Sequence, residues 1–338
     1  MKTLFKIGLI AIFILGFYTR GTFSQEYRKL AQTGLKFLTV PMDARASALS
    51  GALTSLEVNS VALMFNPASM STTLHAFDVS LGQVRWIADI DYVFGTAAYR
   101  PAKGQYGVFG FSLMSVDYGT MYSTILANND RGYVDLGEFT PSAYAIGIGY
   151  AKALSDRFMI GGQAKYVFQS LGAGIVSFTS DEVQQTESFD ADVMAFDFGL
   201  LYRTGFRSLN FGVSVRNFAQ EITYIEESFQ LPLTFKIGVS MNVFDLTQIE
   251  PGRHQLLMTV DAAHPRDYVE QLDMGLEYVF LNSFALRAGY TTPTDEQGFS
   301  LGAGFNQSLS SFGLAIDYAF TEFGIFSEVH RFTFKFNF

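Results

Sequence analysis

The stretch RFTFKFNF, residues 331–338, decides how the rest of the sequence is read. Side chains on a strand point alternately to its two faces. Phe332, Phe334, Phe336 and Phe338 therefore line one side of this ribbon. Arg331, Thr333, Lys335 and Asn337 line the other. One side is oily and the other wet. The oily side either covers a protein core or faces hydrocarbon. A soluble sheet with such an exposed edge strand would invite aggregation, which favours lipid.

The same alternation runs upstream. Between Leu231 and Phe244, residues Leu233, Phe235, Ile237, Val239, Met241 and Val243 oppose Thr234, Lys236, Gly238, Ser240 and Asn242. Met194, Phe196, Phe198, Leu200 and Tyr202 oppose Ala195, Asp197, Gly199, Leu201 and Arg203. The runs 312–320 and 272–280 repeat the pattern. The second face separates two environments. In a soluble sandwich it would meet bulk water and carry Lys, Glu and Thr. Here it is mostly Gly, Ala, Ser and single charges, as suits a crowded, enclosed interior. The apolar runs carry aromatics such as Tyr166, Phe168, Tyr278, Phe280 and Tyr318, as membrane girdles require.

The pattern predicts about fourteen strands between residues 76 and 338. They are expected near 76–86, 90–100, 105–117, 141–153, 157–170, 190–204, 208–219, 231–244, 254–264, 269–280, 283–292, 298–307, 310–321 and 326–338. An even count returns the chain to the side it started from. The connections 155–157, 204–208, 281–283 and 308–311 are short and 241–254 on the same side is longer, whereas 118–140, 171–189 and 219–230 are long and polar or acidic. Short periplasmic turns and long outer loops are the rule for outer-membrane barrels. The fold class expected is all-β: an antiparallel transmembrane barrel, 76–338, integral to the outer membrane of a Gram-negative type cell.

Bulk composition agrees. Of 338 residues, 49% are hydrophobic and only 16% charged, with 35 Phe, 17 Tyr and 31 Gly. Cysteine is absent, which removes disulfides, thiolate metal sites and Cys nucleophiles. A net charge of −9 offers no footprint for nucleic acid. Lys2 and Lys6 precede the apolar run Ile7 to Tyr18, and Thr22 and Ser24 suit a cut before Gln25. This reads as a secretory signal, 1–24. Its apolar run is too short to span a bilayer as a helix.

Residues 25–75 do not alternate. DARASALSGALTSLE (43–57) is rich in small residues, and MFNPASMS (64–71) follows. Pro67 pushes Asn66 out of the helical region, so Asn66-Pro67-Ala68 marks a turn. About fifty residues of this kind suit a plug, or hatch, in the lumen of a fourteen-stranded barrel.

Several segments, in order along most of the mature chain, resemble the PorV/PorQ family within the long-chain fatty acid transporter (FadL-like) superfamily. They are LTVPMDARASALSGA (38–52), ALMFNPASM (62–70), RWIADIDYVFG (85–95), SVRNFAQEITYIEESFQLPLTFKIGVSM (214–241), DAAHPRDYVEQLDMGLEYVF (261–280) and RAGYTTPTDEQGFSLGAGF (287–305). The resemblance implies an outer-membrane component of the type IX secretion system. Such members contact the C-terminal signal domains of secreted cargo and hand cargo to the cell-surface attachment complex, in company with the translocon. The superfamily implies an alternative, a transporter of long-chain fatty acids or other hydrophobic small molecules. RFTFKFNF likewise resembles the C-terminal signal that outer-membrane proteins present to their insertion machinery.

No enzyme signature is found. His75, His254, His264 and His330 fall at strand ends or connections, without metal-ligand spacing. No cofactor or metal is expected. GVFGFS (107–112) and SLGAGF (300–305) lack the following helix of a nucleotide loop. The inward charges Lys165, Asp197, Arg203, Arg216, Lys236, Asp261, Asp273, Glu277, Arg287 and Asp317 either line a path or pair to hold plug and strands in register. Their mixed signs favour pairing over a selective ring. Trp86, the single Trp, is read as an interfacial anchor or a partner contact. The acidic stretches 127–139 and 180–192 lack the full EF-hand pattern and read as solvated loops.

Overall fold

The computed structural model describes residues 33–178, 184–224, 227–247, 253–309, 312–326 and 328–338. The signal expected at 1–24 lies outside the described residues, as do residues 25–32 of the expected plug. The strands run in chain order. First come β1 (Phe77–Arg85), β2 (Asp91–Tyr99), β3 (Val108–Asp117), β4 (Met121–Leu126), β5 (Tyr133–Phe139) and β6 (Ser142–Ala153). Next are β7 (Phe158–Phe178), β8 (Gln184–Arg203), β9 (Asn210–Ala219), β10 (Ile222–Tyr224), β11 (Glu227–Phe229) and β12 (Thr234–Asn242). The last are β13 (His254–Pro265), β14 (Gln271–Phe280), β15 (Phe284–Thr292), β16 (Phe299–Ser308), β17 (Gly313–Glu322) and β18 (Glu328–Asn337).

Fourteen of these close into one antiparallel barrel, in which β1 pairs with both β2 and β18. Closure places Leu81 opposite Phe334 and Val79 opposite Phe336, and Phe77 and Phe338 exchange backbone hydrogen bonds of 2.9 and 3.0 Å. A strand in hydrocarbon must satisfy every backbone group internally, so the last strand cannot be left as an edge. The fourteen strands fall where the alternation predicts them.

The register answers which face is oily. Phe332, Phe334 and Phe336 are 46%, 43% and 40% exposed, while Arg331 and Thr333 are buried at 1% and 0%. The oily face is the outer face of the cylinder. Aromatics gather near both ends of the wall. Phe77 stacks on Tyr99 and Phe338 at one end, and Tyr290 packs on Phe299 at the other. The end where β1 begins has the connections 154–157, 204–209 and 281–283. Excursions that form strands of their own leave the opposite end, which by the loop-length rule faces out.

Those excursions differ from the loops expected. The 118–140 connection contains the hairpin β4–β5, and 219–230 contains the small hairpin β10–β11. The stretch 171–189 is largely the continuation of β7 and β8 above the wall, with residues 179–183 outside the described set. The reason is local. YVDLGEF (133–139) carries strand-forming residues whose alternation is offset by a bulge. Polarity alone had marked it as loop.

Candidate functional site

Residues 33–75 pack against the inward faces of the barrel strands. The helix α1 (Ala44–Ala48) is capped by Asp43, whose carboxylate accepts from the Ala46 amide at 2.9 Å. Ala44, Ala46, Ala48, Leu49 and Leu53 are fully buried. The Asn66-Pro67-Ala68 turn opens a short 3-10 helix, with Asn66 in extended backbone (φ −136°, ψ 100°) as the following proline requires. Asn66 spends its whole amide. Oδ1 accepts from Ala68 N at 3.1 Å, and Nδ2 donates to the carbonyls of Thr54 at 2.6 Å and Leu200 at 3.0 Å. Leu200 belongs to the wall strand β8, so the turn is stitched to the barrel.

Glycine makes this approach possible. A Cβ at Gly199, Gly161, Gly212, Gly289 or Gly302 would fall within 3.0 Å of plug atoms from Asn66, Pro67, Thr54, Ser50 or Ala48. These glycines sit on β8, β7, β9, β15 and β16, spread around the barrel. The small inward face is thus the seat of a backbone that passes closer than any side chain allows.

Charges fasten the plug as well, to strands from β8 round to β18. Arg45 forks onto Glu277 with bonds of 2.9 and 2.7 Å. Glu277 also accepts from Arg287, which reaches Asp317 at 2.7 Å. Lys335 lies 2.9 Å from Asp43 and 3.1 Å from Asp317. Lys236 joins Asp273 at 2.6 Å and the Gly51 carbonyl at 3.3 Å. Asp261 accepts from the Thr54 amide at 2.9 Å, and Arg203 grips Glu57 with two bonds of 2.7 Å. Arg331, fully buried, donates to the Pro41 carbonyl at 2.9 Å and lies over the Trp86 ring at 5.3 Å.

Two cavities flank the plug. The inner one, about 390 Å³, is lined by Arg45, Glu57, Asp78, Glu277, Arg287 and Lys335. The outer one, about 310 Å³, is lined by Leu38, Val40, Phe65, Trp86, Arg216 and Phe323, among others. Its floor is plug and its rim is loop. Arg216 stands 5.9 Å from the Phe65 ring centre with no hydrogen-bond partner on Nε.

No family model and no curated protein matches the chain. Solved structures match in fold. The toluene transporter TodX of Pseudomonas putida superposes with a TM-score of 0.55 at 12% identity, covering 88% of this chain and 97% of that one. The toluene transporter TbuX of Ralstonia pickettii gives 0.54 at 12%, covering 88% and 98%. A Pseudomonas aeruginosa FadL homologue gives 0.50 at 13%, covering 88% and 98%. Identities this low speak for the fold alone. With a closed wall whose phenylalanines face outward, that is enough to place the protein.

The chain is an integral outer-membrane β-barrel.

The barrel brings most of the inward charges read from the sequence into pairs between nearby wall strands or between wall and plug, and it places the others individually. Lys165, Asp197 and Asn217 form a separate buried knot. Lys165 donates to Asp197 at 2.8 Å and to Asn217 at 2.6 Å, and the Asn217 amide donates to Asp197 at 2.7 Å. The β8–β9 register shifts between Phe196 and Phe198, and Asn217 has φ of 62°. The knot fills the gap left in the ladder. Trp86 is not on the lipid face. It turns inward from the end of β1 and packs edge-on against Phe323 at 4.9 Å and Tyr92 at 6.3 Å.

Sequence reading missed the plug's own charges, Asp43, Arg45 and Glu57, because nothing periodic marks them. Lys335 and Arg331 were legible, since they alternate with the terminal phenylalanines. His254 and His330 bond to the hydroxyls of Tyr278 and Tyr318 at 2.7 and 2.8 Å, and His264 to Glu270 at 2.9 Å. Among the described residues no group of three or more His, Cys, Asp or Glu is placed to hold a metal.

Proposed function

We propose that this barrel acts in type IX secretion. It engages exported proteins through their C-terminal signal domains at its outer rim and passes them to the translocon and surface attachment complex. The sequence resemblance supplies the system. The observation that carries the geometry is the plug, fastened by ion pairs, an asparagine turn and glycine seats to strands around the wall. A lumen filled in this way directs recognition to the rim and outer cavity. Residues 1–24 would direct export and be removed, 25–75 would serve as the hatch, and Phe332, Phe334, Phe336 and Phe338 would be read by the insertion machinery before closure. Trp86 would act from the rim of the outer cavity. The test is capture of a cargo's C-terminal domain by the folded barrel, paired with secretion in a deletion strain. No capture together with undiminished secretion rejects the role.

A second reading is passage of hydrophobic small molecules, including long-chain fatty acids. The comparisons lean toward it, since the solved neighbours are by name toluene transporters and a FadL homologue. The β8–β9 ladder is interrupted where Arg216 and Asn217 line the outer cavity. Uptake of a labelled fatty acid by cells with and without the protein separates the two readings.

A further inference from the structure

Among the inward cations Arg216 stands apart. Lys165, Arg203, Lys236, Arg287 and Lys335 each hold a carboxylate. Arg216 holds none. It alternates on β9 with the inward Gly212 and Ser214, and it lines the outer cavity. Asp197, on the neighbouring strand β8, is spent on Lys165 and the Asn217 amide. The acids of the cavity are spent too, Asp267 on Lys36 and Thr33, and Asp273 on Lys236 and Thr291. Among the described residues Arg216 makes no ion pair and no side-chain hydrogen bond, and its Nε is buried. The Phe65 ring, 5.9 Å away, offers its face to the cation and accepts no proton. A buried donor without an acceptor is costly, and a guanidinium cannot shed its charge. The cavity wall therefore has one positive charge that its own residues do not answer.

A guanidinium fork matches the two oxygens of a carboxylate, and one negative charge balances the wall. The rest of the lining says what carries that carboxylate. Thr39, Thr234 and Gln297 lie among Phe65, Trp86 and Phe323. A hydrocarbon tail would strip the polar groups of water and return no hydrogen bond. A peptide brings donors and acceptors to them and apolar side chains to the rings. The plug forms the floor, and the space is about 310 Å³, small for a ligand site. A chain that enters must stop there or double back, and a terminus needs no room for a turn. We propose that the outer cavity receives the C-terminus of a polypeptide arriving from outside, with Arg216 taking the terminal carboxylate. This rests on the secretion reading and deepens it, by naming the part of an exported chain that is gripped and the side chain that grips it.

Trp86 is the single Trp of the chain and lines this cavity, so its emission reports occupancy. The experiment titrates the full-length barrel in detergent with a short glycine-serine peptide that ends in two valines, its C-terminus either free or amidated. The free acid is expected to bind about tenfold more tightly than the amide. Arg216→Gln should erase that gap, and Arg216→Lys should restore part of it. Arg216 has no partner to lose, so Arg216→Gln should keep the heat-modifiable mobility of the folded barrel. The comparison of acid with amide on the unaltered protein needs no variant at all. No response to either peptide, equal binding of the two, or a gap that survives Arg216→Gln would overturn the proposal. So would an amidated peptide with an aspartate side chain that binds as well as the free acid, or laurate that binds through Arg216 where the peptide acid does not. A free acid gripped through Arg216, with undiminished secretion in a deletion strain, would sink the secretion reading and leave the site standing. Capture of a cargo domain that ignores both Arg216→Gln and amidation of the cargo's C-terminus would sink the site and leave the secretion reading.

Discussion

The waist of the barrel and the hairpin above it are built from the same kinds of strand and behave as opposites. At the waist, glycines on several strands receive plug backbone, and Glu277, Asp317 and Asp43 are shared among Arg45, Arg287 and Lys335. In β4–β5, one whole face meets solvent. The first arrangement forfeits adaptability, because these carboxylates are held by fixed cations. The second leaves its outward side chains in solvent. Rigid scaffold with function displaced to its loops is a common division of labour, and here it follows from which strands have the plug behind them.

The largest effects should come from the waist. Glu277→Ala leaves Arg45 and Arg287 without their shared carboxylate, and breaking one side of a buried pair costs about 3–5 kcal/mol. Its midpoint in chemical unfolding, followed by the heat-modifiable band, should fall sharply. A value near wild type would show that the waist network is dispensable. Phe334→Arg tests the lipid face, where an arginine near the midplane costs about 2–4 kcal/mol. If the variant assembles into bilayers as well as wild type, the oily face has been misassigned.

Asn66→Ala removes the stitch to Leu200 and the Thr54 carbonyl, at about 1–3 kcal/mol for buried groups left unpaired. Hydrogen exchange across 54–70 should rise while the outer hairpin is unchanged. A smaller effect is expected where the plug meets the outer loop. Asp267, between β13 and β14, accepts from Lys36 and Thr33. Burial alone would raise its carboxyl, but these donors hold it below the ordinary range. A depressed carboxylate stabilises the fold above its unfolded value, about 3.9, and loses that contribution as pH falls through the lower folded value. Lys36 is more than half exposed, so the tie contributes less than about 1 kcal/mol. Residues 33–40 should loosen on acidification below about pH 4, and Asp267→Asn should remove that dependence. Smallest of all, Leu126→Ser should leave barrel stability within about 0.5 kcal/mol of wild type. A larger loss would mean that the hairpin props the wall.

Alternation gave away the wall because a strand with lipid outside and a lumen inside has two chemically distinct faces, and period two records them directly. The Phe332 to Phe338 series and the opposing Arg331 and Lys335 could be assigned before any coordinates. Local rules reached the Asn66-Pro67 turn, since proline restricts the residue before it. They did not reach the partner of that turn, Leu200, 134 residues away. Nor did polarity distinguish a solvated loop from β4–β5, which is polar because it is exposed and a strand all the same.

The sequence by itself determined the two-faced strands, their number and the side that lipid wets, because burial period is a property of consecutive residues. Only the tertiary structure decided which glycine seats which turn of the plug, which carboxylate serves which guanidinium, and that Trp86 faces inward. Those are meetings between residues far apart in the chain. They depend on closure and register of the whole cylinder, which no local pattern encodes.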